Sequence, residues 1–138
     1  MTYRTVEQLG DLVDQPINAV LATRRADGTT LLSPVWFLWQ DGGFDVGIPD
    51  GDPKLAHFAR DPQVSILIFE NGGVGRGLEV TGSAVVSRDP GRDLGRALSI
   101  KYLGEEEGLR YFESLGTAGW RVRIEGRIRA WDYADLTY

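Results

Sequence analysis

The sequence predicts a mainly β protein: a closed antiparallel barrel of about six strands with short helices on its periphery. Three observations predict it. Short runs rich in β-branched and aromatic residues recur along the chain. Tight-turn signals join the first of these runs directly. The last run alternates apolar and charged residues with a period of two. No helical stretch separates the first three strands, which argues against a doubly wound α/β fold.

The elements follow in order. Residues 5–14 predict one short helix, with Leu9, Leu12 and Val13 on one face and Gly10 weakening it. Residues 18–23 alternate as a strand, and Ala26-Asp27-Gly28 is a turn signal. Residues 31–39 predict the second strand. Pro34 within it marks an edge or a bulge, because proline cannot donate to a ladder. Gln40-Asp41-Gly42-Gly43 predicts another tight turn into a strand at 44–48, and the three strands read as a meander. Asp52-Pro53 opens a short helix to Ala59, with Asp52 as its cap and Pro53 at its first position. Residues 64–69 predict a central strand. A glycine-rich loop at 71–77 leads to a strand at 78–87 with Val80, Gly82, Ala84 and Val86 on one face. Two helices at 89–102 and 105–115 precede a long final strand at 119–130. There is no internal repeat and no long linker, so the 138 residues predict one domain, 1–138.

Composition excludes several chemistries. With no cysteine there is no disulfide, thiolate metal site or cysteine nucleophile, and one histidine, His57, cannot build a histidine metal site alone. No metal is expected. The formal charge of -5 repels nucleic acid, and the arginines at 121, 123, 127 and 129 alternate with apolar residues, as on the solvent side of a strand. The N-terminus lacks the apolar core of a signal peptide, and no run approaches the roughly twenty apolar residues of a membrane span. A cytoplasmic location, with no membrane and no nucleic-acid partner, is the expectation.

The candidate site is sparse. The glycine-rich loop holds neither a dinucleotide fingerprint nor a P-loop. Ser33-Pro34-Val35-Trp36 frees backbone groups from a ladder where a planar heterocycle could meet them. Trp36 and Trp39, three apart, point to opposite sides of a strand, so one is core and the other faces a ligand or partner. Lys54, in the first turn of its helix, is a candidate phosphate contact. His57 has no evident partner for a triad and reads as a packing residue. No catalytic residue is identified.

The ordered combination of a first strand with an ADG turn, then SPVWF, then a lysine opening an apolar helix that ends at a DP, then VTGSA, and the closing GWRVRIEGRIRAWDY spans nearly the whole chain. It resembles the pyridoxamine 5'-phosphate oxidase-like FMN-binding split barrel superfamily, in particular the flavin and deazaflavin (coenzyme F420)-dependent oxidoreductases of actinobacteria. The resemblance implies a six-stranded, Greek-key-like split β-barrel and a homodimer with cofactor sites at the subunit interface. Ser33, Pro34, Val35 and Trp36 would lie along the cofactor ring, while Ile48, Pro49, Asp52 and Lys54 would hold its phosphate. Asp52 departs from the family pattern, in which a hydroxyl or basic residue often helps bind phosphate there. The implied cofactor is coenzyme F420 or FMN, and the implied function is hydride transfer from reduced F420 to a small conjugated or quinone-like substrate, with the last-strand arginines near the acidic tail. The alternatives are an FMN-binding flavoprotein of the same class, or a non-catalytic flavin or deazaflavin carrier or sensor. A haem-binding member would have only His57 to offer. Pyridoxamine-phosphate oxidation itself is not expected, since the basic residues for a second phosphate are missing.

Overall fold

Seven strands form a single curled antiparallel sheet: β1 (Ala19–Arg24), β2 (Thr30–Val35), β3 (Phe37–Gln40), β4 (Gly43–Ile48), β5 (Gln63–Phe69), β6 (Arg76–Arg88) and β7 (Trp120–Asp132). Three helices accompany them: α1 (Lys54–Arg60), α2 (Asp93–Leu103) and α3 (Glu105–Leu115). The structure is a computed structural model and describes residues 3–70, 75–90, 92–116 and 118–132, so part of the expected glycine-rich loop, 71–74, lies outside the described residues. Among these residues no helix is long and apolar enough to cross a membrane.

The expected single strand at 31–39 is two strands. Its halves, β2 and β3, occupy opposite ends of the sheet order β2-β1-β5-β6-β7-β4-β3. β2 pairs with β1, where Pro34 sits opposite Val20 on an edge, as a residue without an N–H must. One residue later the chain leaves that ladder, and Phe37 pairs with Val46 of β4. The expected meander is therefore two hairpins, β1–β2 and β3–β4. Joining opposite edges through Trp36 alone forces the sheet to curl. No ladder between β2 and β3 is found among the described residues, so the sheet is a half-barrel open along this seam, as a split barrel is, with seven strands where six were expected.

The end of α2 secures the break. The Tyr102 hydroxyl accepts the Phe37 N–H at 3.1 Å and donates to the Ile17 carbonyl at 2.7 Å. Lys101 Nζ donates to the carbonyls of Phe37 at 2.8 Å and Val13 at 3.3 Å, and lies 3.6 Å from the centre of the Phe37 ring. Backbone groups beside a broken ladder need such partners, because a buried, unpaired donor costs about 1–3 kcal/mol. Tyr102→Phe deprives the Phe37 N–H of its acceptor and is expected to lower unfolding free energy by about 2 kcal/mol in urea denaturation; a change within about 0.5 kcal/mol would show that the hydroxyl does not secure the break.

The inner face of the sheet is apolar. Leu21, Val46, Ile66, Val80 and Ile124 are fully buried, one each from β1, β4, β5, β6 and β7. Phe44 meets Phe37 edge-on at 5.2 Å and Trp39 at 5.0 Å. The expected N-terminal helix is replaced by two 3-10 turns, Glu7–Leu9 and Leu12–Asp14, because Gly10 adopts a left-handed φ of 62° between them. Thr5 and Gln8 exchange side-chain and backbone hydrogen bonds at 2.9 and 3.3 Å, a capping box that starts the first turn. The turns bury Leu9 and Leu12 against the sheet, and Arg76, at the start of β6, ties them down through Glu70 and Asp11. The Asp41-Gly42 turn has positive φ at both residues, 52° and 75°, the geometry that its sequence predicts for a two-residue hairpin loop.

Candidate functional site

The Trp36 break, the end of β4, the start of α1 and the α2–α3 pair enclose a cavity of about 530 Å³. Of the eight expected site residues, Pro34, Val35, Trp36, Ile48, Pro49, Asp52 and Lys54 line it. Ser33 does not: it is buried on β2 opposite Leu21, and only the last residues of the strand reach the wall. Trp36, Tyr111, Phe112 and Trp120 are the aromatic residues of the cavity wall. Trp36 stacks on Tyr102 with centroids 4.6 Å apart and planes 3° apart, and Tyr111 tilts against it at 5.9 Å. Trp39, by contrast, packs on the core, so the two tryptophans divide as their spacing predicts.

Sequence reasoning did not place Tyr111, Phe112 and Leu115 of α3, or Trp120, at the site. Their helical spacing reads as an ordinary packing face. The available signal was the excess of large apolar side chains over what α3 buries: Tyr111 and Leu115 remain 42% and 47% exposed.

The charged side chains of the cavity are already committed to partners in the chain. Lys54 Nζ lies 3.1 Å from the Asp52 carboxylate, which also accepts the Lys54 backbone N–H at 2.9 Å. Asp52 therefore does act as a cap at the start of α1, and it simultaneously neutralises the expected phosphate contact. Asp89 accepts the backbone N–H groups of Leu94 at 3.3 Å and Gly95 at 3.1 Å, filling the start of α2. Arg92 lies 4.0 Å from the centre of the Phe112 ring and donates to the Phe112 carbonyl at 2.6 Å. Asp50 accepts from the indole of Trp120 at 2.9 Å, while Arg88 stacks over that indole at 3.9 Å. The last-strand arginines do not line the cavity. Arg123 contacts Asp45 and Glu125, Arg129 contacts Glu79, and Arg121 is 4.0 Å from Asp45. His57 is likewise absent from the wall; its Nδ1 lies 3.0 Å from the Thr23 hydroxyl, fixing α1 to β1.

Behind Trp36, burial perturbs the two residues that secure the break. It lowers Lys101 from the ordinary 10.5 to about 8, against the opposing pull of Asp14, and raises Tyr102 to about 12. Between pH 8 and 10.5 the unfolded chain binds the Lys101 proton and the folded chain does not, so stability rises with pH across that window. The cost of burying the ammonium is fully present below pH 8. Tyr102 acts in the opposite sense, and only above pH 10. The free energy of unfolding measured in urea is therefore expected to rise from pH 8 to 10 in the wild type relative to Lys101→Met. Parallel pH profiles would refute a titrating Lys101.

Two kinds of comparison place these features among known proteins. A family model described as pyridoxamine 5'-phosphate oxidase matches residues 5–112. Among solved structures, a conserved hypothetical protein of Mycobacterium tuberculosis aligns with 100% of this chain and 95% of its own, with a TM-score of 0.81 and 24% identity. An F420 reductase aligns with 90% of this chain and 98% of its own, with a TM-score of 0.71 and 21% identity. A FAD-binding protein of Mesorhizobium loti aligns over 94% and 93%, with a TM-score of 0.66 and 14% identity. Likeness at these identities establishes the shared fold. No curated protein matches the sequence.

Proposed function

The chain belongs to the pyridoxamine 5'-phosphate oxidase family, and from that premise we propose that it is an oxidoreductase that binds a flavin-type cofactor, with reduced coenzyme F420 as hydride donor to a small conjugated or quinone-like substrate. One observation carries this reading. Seven residues expected at the cofactor converge on one cavity, whose volume of about 530 Å³ falls in the ordinary range for small-molecule sites.

The ring end of such a cofactor fits these residues. The flat Trp36 indole is held by Tyr102, and apolar Val35, Ile48 and Leu98 exclude water beside it. Pro34 at the edge of the sheet has no N–H to compete for a ladder. The phosphate end does not fit in the expected way, because Asp52 occupies Lys54. FMN ends in a dianionic phosphate monoester, whereas the phosphate of F420 is a monoanionic diester that Asp52 opposes less, and this favours the deazaflavin over FMN. When bound, the cofactor supplies the hydride chemistry; the chain orients the ring and shields it.

Tyr111 and Leu115 of the cavity wall remain exposed, and a second copy of the chain covering them is part of the proposal. Sedimentation velocity is expected to show a species of twice the 15.3 kDa chain mass. Titration with F420 and with FMN, followed by cofactor fluorescence, tests the whole reading: F420 is expected to bind more tightly, and binding of neither would overturn it. The engagement of the cavity's charged groups by partners within the chain favours one second reading, a carrier or sensor without turnover. That reading predicts tight F420 binding with no hydride transfer to any of a panel of quinones.

A further inference from the structure

Two places along the cavity are able to receive an anion: the Lys54 ammonium with the first backbone amide of α1, and the opening amides of α2. Both are filled by carboxylates of the chain itself. Asp52 takes the first, with its side chain and that of Lys54 only 18% and 13% exposed. Asp89 takes the second through Leu94 and Gly95. The charged side chains lining the cavity are three carboxylates, Asp50, Asp52 and Asp89, against two cations, Lys54 and Arg92, a formal excess of one negative charge.

We infer that this cavity discriminates against a terminal phosphate: a flavin-type ring with a neutral polyhydroxyl tail binds better than the same ring bearing a phosphate monoester, and Asp52 and Asp89 determine that preference. The inference deepens the proposed function and rests on its premise of a flavin-type ring. A phosphate dianion reaching Lys54 must share the ammonium with Asp52 or displace that carboxylate, leaving a shielded negative charge beside the incoming one. A neutral tail meets no such opposition. Its hydroxyl groups donate, and ionised carboxylates are pure acceptors with lone pairs to spare.

The test measures binding of riboflavin and of FMN to the whole protein by quenching of flavin fluorescence, at low and high salt. Riboflavin is expected to bind at least about fivefold more tightly. Added salt is expected to strengthen FMN binding by screening repulsion, and to leave riboflavin within about twofold. Asp52→Asn keeps an acceptor oxygen for the Lys54 N–H and removes the charge; it is expected to shift the ratio of FMN to riboflavin affinity about tenfold towards FMN. Tighter binding of FMN to the wild type, weakened by salt and by Lys54→Met, would overturn the inference and leave the flavin reading standing. Failure of both flavins to bind also overturns it, and the F420 titration then decides whether the flavin reading falls as well.

Discussion

Gly82→Val is expected to abolish folding, and Gly82→Ala to cost about 3 kcal/mol or more. Gly82 of β6 lies opposite Gly126 of β7 in the longest ladder of the sheet. A Cβ on Gly82 would stand 1.9 Å from the Glu125 carbonyl oxygen and 3.0 Å from the Gly126 Cα, and one on Gly126 would stand 2.2 Å from the Thr81 oxygen. Every obstructing atom is backbone, so no side-chain rotation relieves the clash. The two strands can separate only by giving up the ladder that links β5 to β4 through the middle of the sheet. Gly95, in α2, provides the contrast. The nearest atom to a Cβ there is 3.8 Å away, and Gly95→Ala is expected to be neutral or to stabilise by up to about 1 kcal/mol through helix propensity. Thermal melts and urea titrations of the three variants check the ordering. A Gly82→Ala protein as stable as wild type would show that the strands are not held this closely.

The Gly82 position was legible as strand, and its strain was not. The alternating pattern assigns Val80, Gly82, Ala84 and Val86 to one face; Val80 is fully buried while Val86 is 36% exposed, and Ile128 on β7 is 43% exposed. β6 runs past the end of the core, and Ile128 lies exposed between the buried Ile124 and Ala130 of β7; alternation records which face a residue occupies, not whether anything covers that face. The break at Trp36 was hidden for a related reason. Ser33, Val35 and Phe37 are all buried, so the period of two continues unbroken while the ladder partner changes from β1 to β4. Pairing partners are set by the whole sheet, and local pattern carries no record of them. Proline marked the edge correctly, and Asp41-Gly42 marked its turn correctly, because those constraints are local. The site divides in the same way. Lys54 and Asp52 were visible as the opening of a helix, but their mutual pairing depends on rotamers. The α3 wall depends on how α2 and α3 fold back together, where Gly108 brings its helix against the Ser99 carbonyl.

Arg123→Met is expected to destabilise the protein by about 3 kcal/mol, because it strands a buried charge. Asp45 of β4 is only 2% exposed, on the face of the strand opposite Phe44 and Val46. Its carboxylate receives Gln40 at 2.5 Å and Arg123 at 3.2 Å, with Arg121 at 4.0 Å. Arg123 also donates to the carbonyls of Gln40 and Asp41, at 2.7 Å each, so one guanidinium joins β7 to the β3–β4 hairpin turn. Nearby carboxylates offset the desolvation of Arg123 and hold it more firmly protonated than a free arginine. Methionine retains much of the side-chain volume but leaves Asp45 without its closest cation. Asp45→Asn in the same chain removes the uncompensated charge. The double variant is therefore expected to recover at least about 1 kcal/mol relative to Arg123→Met, a coupling typical of contacting charges. The consequence reaches the site. β4 ends at Ile48 on the cavity wall, with Pro49 following it there, and its register is held by β7 on one side and β3 on the other. The single variant is thus expected to lose cofactor affinity as well as stability, and the double variant to regain both. Independent losses, with no recovery in the double variant, would mean that Arg123 acts through its carbonyl contacts and not through Asp45.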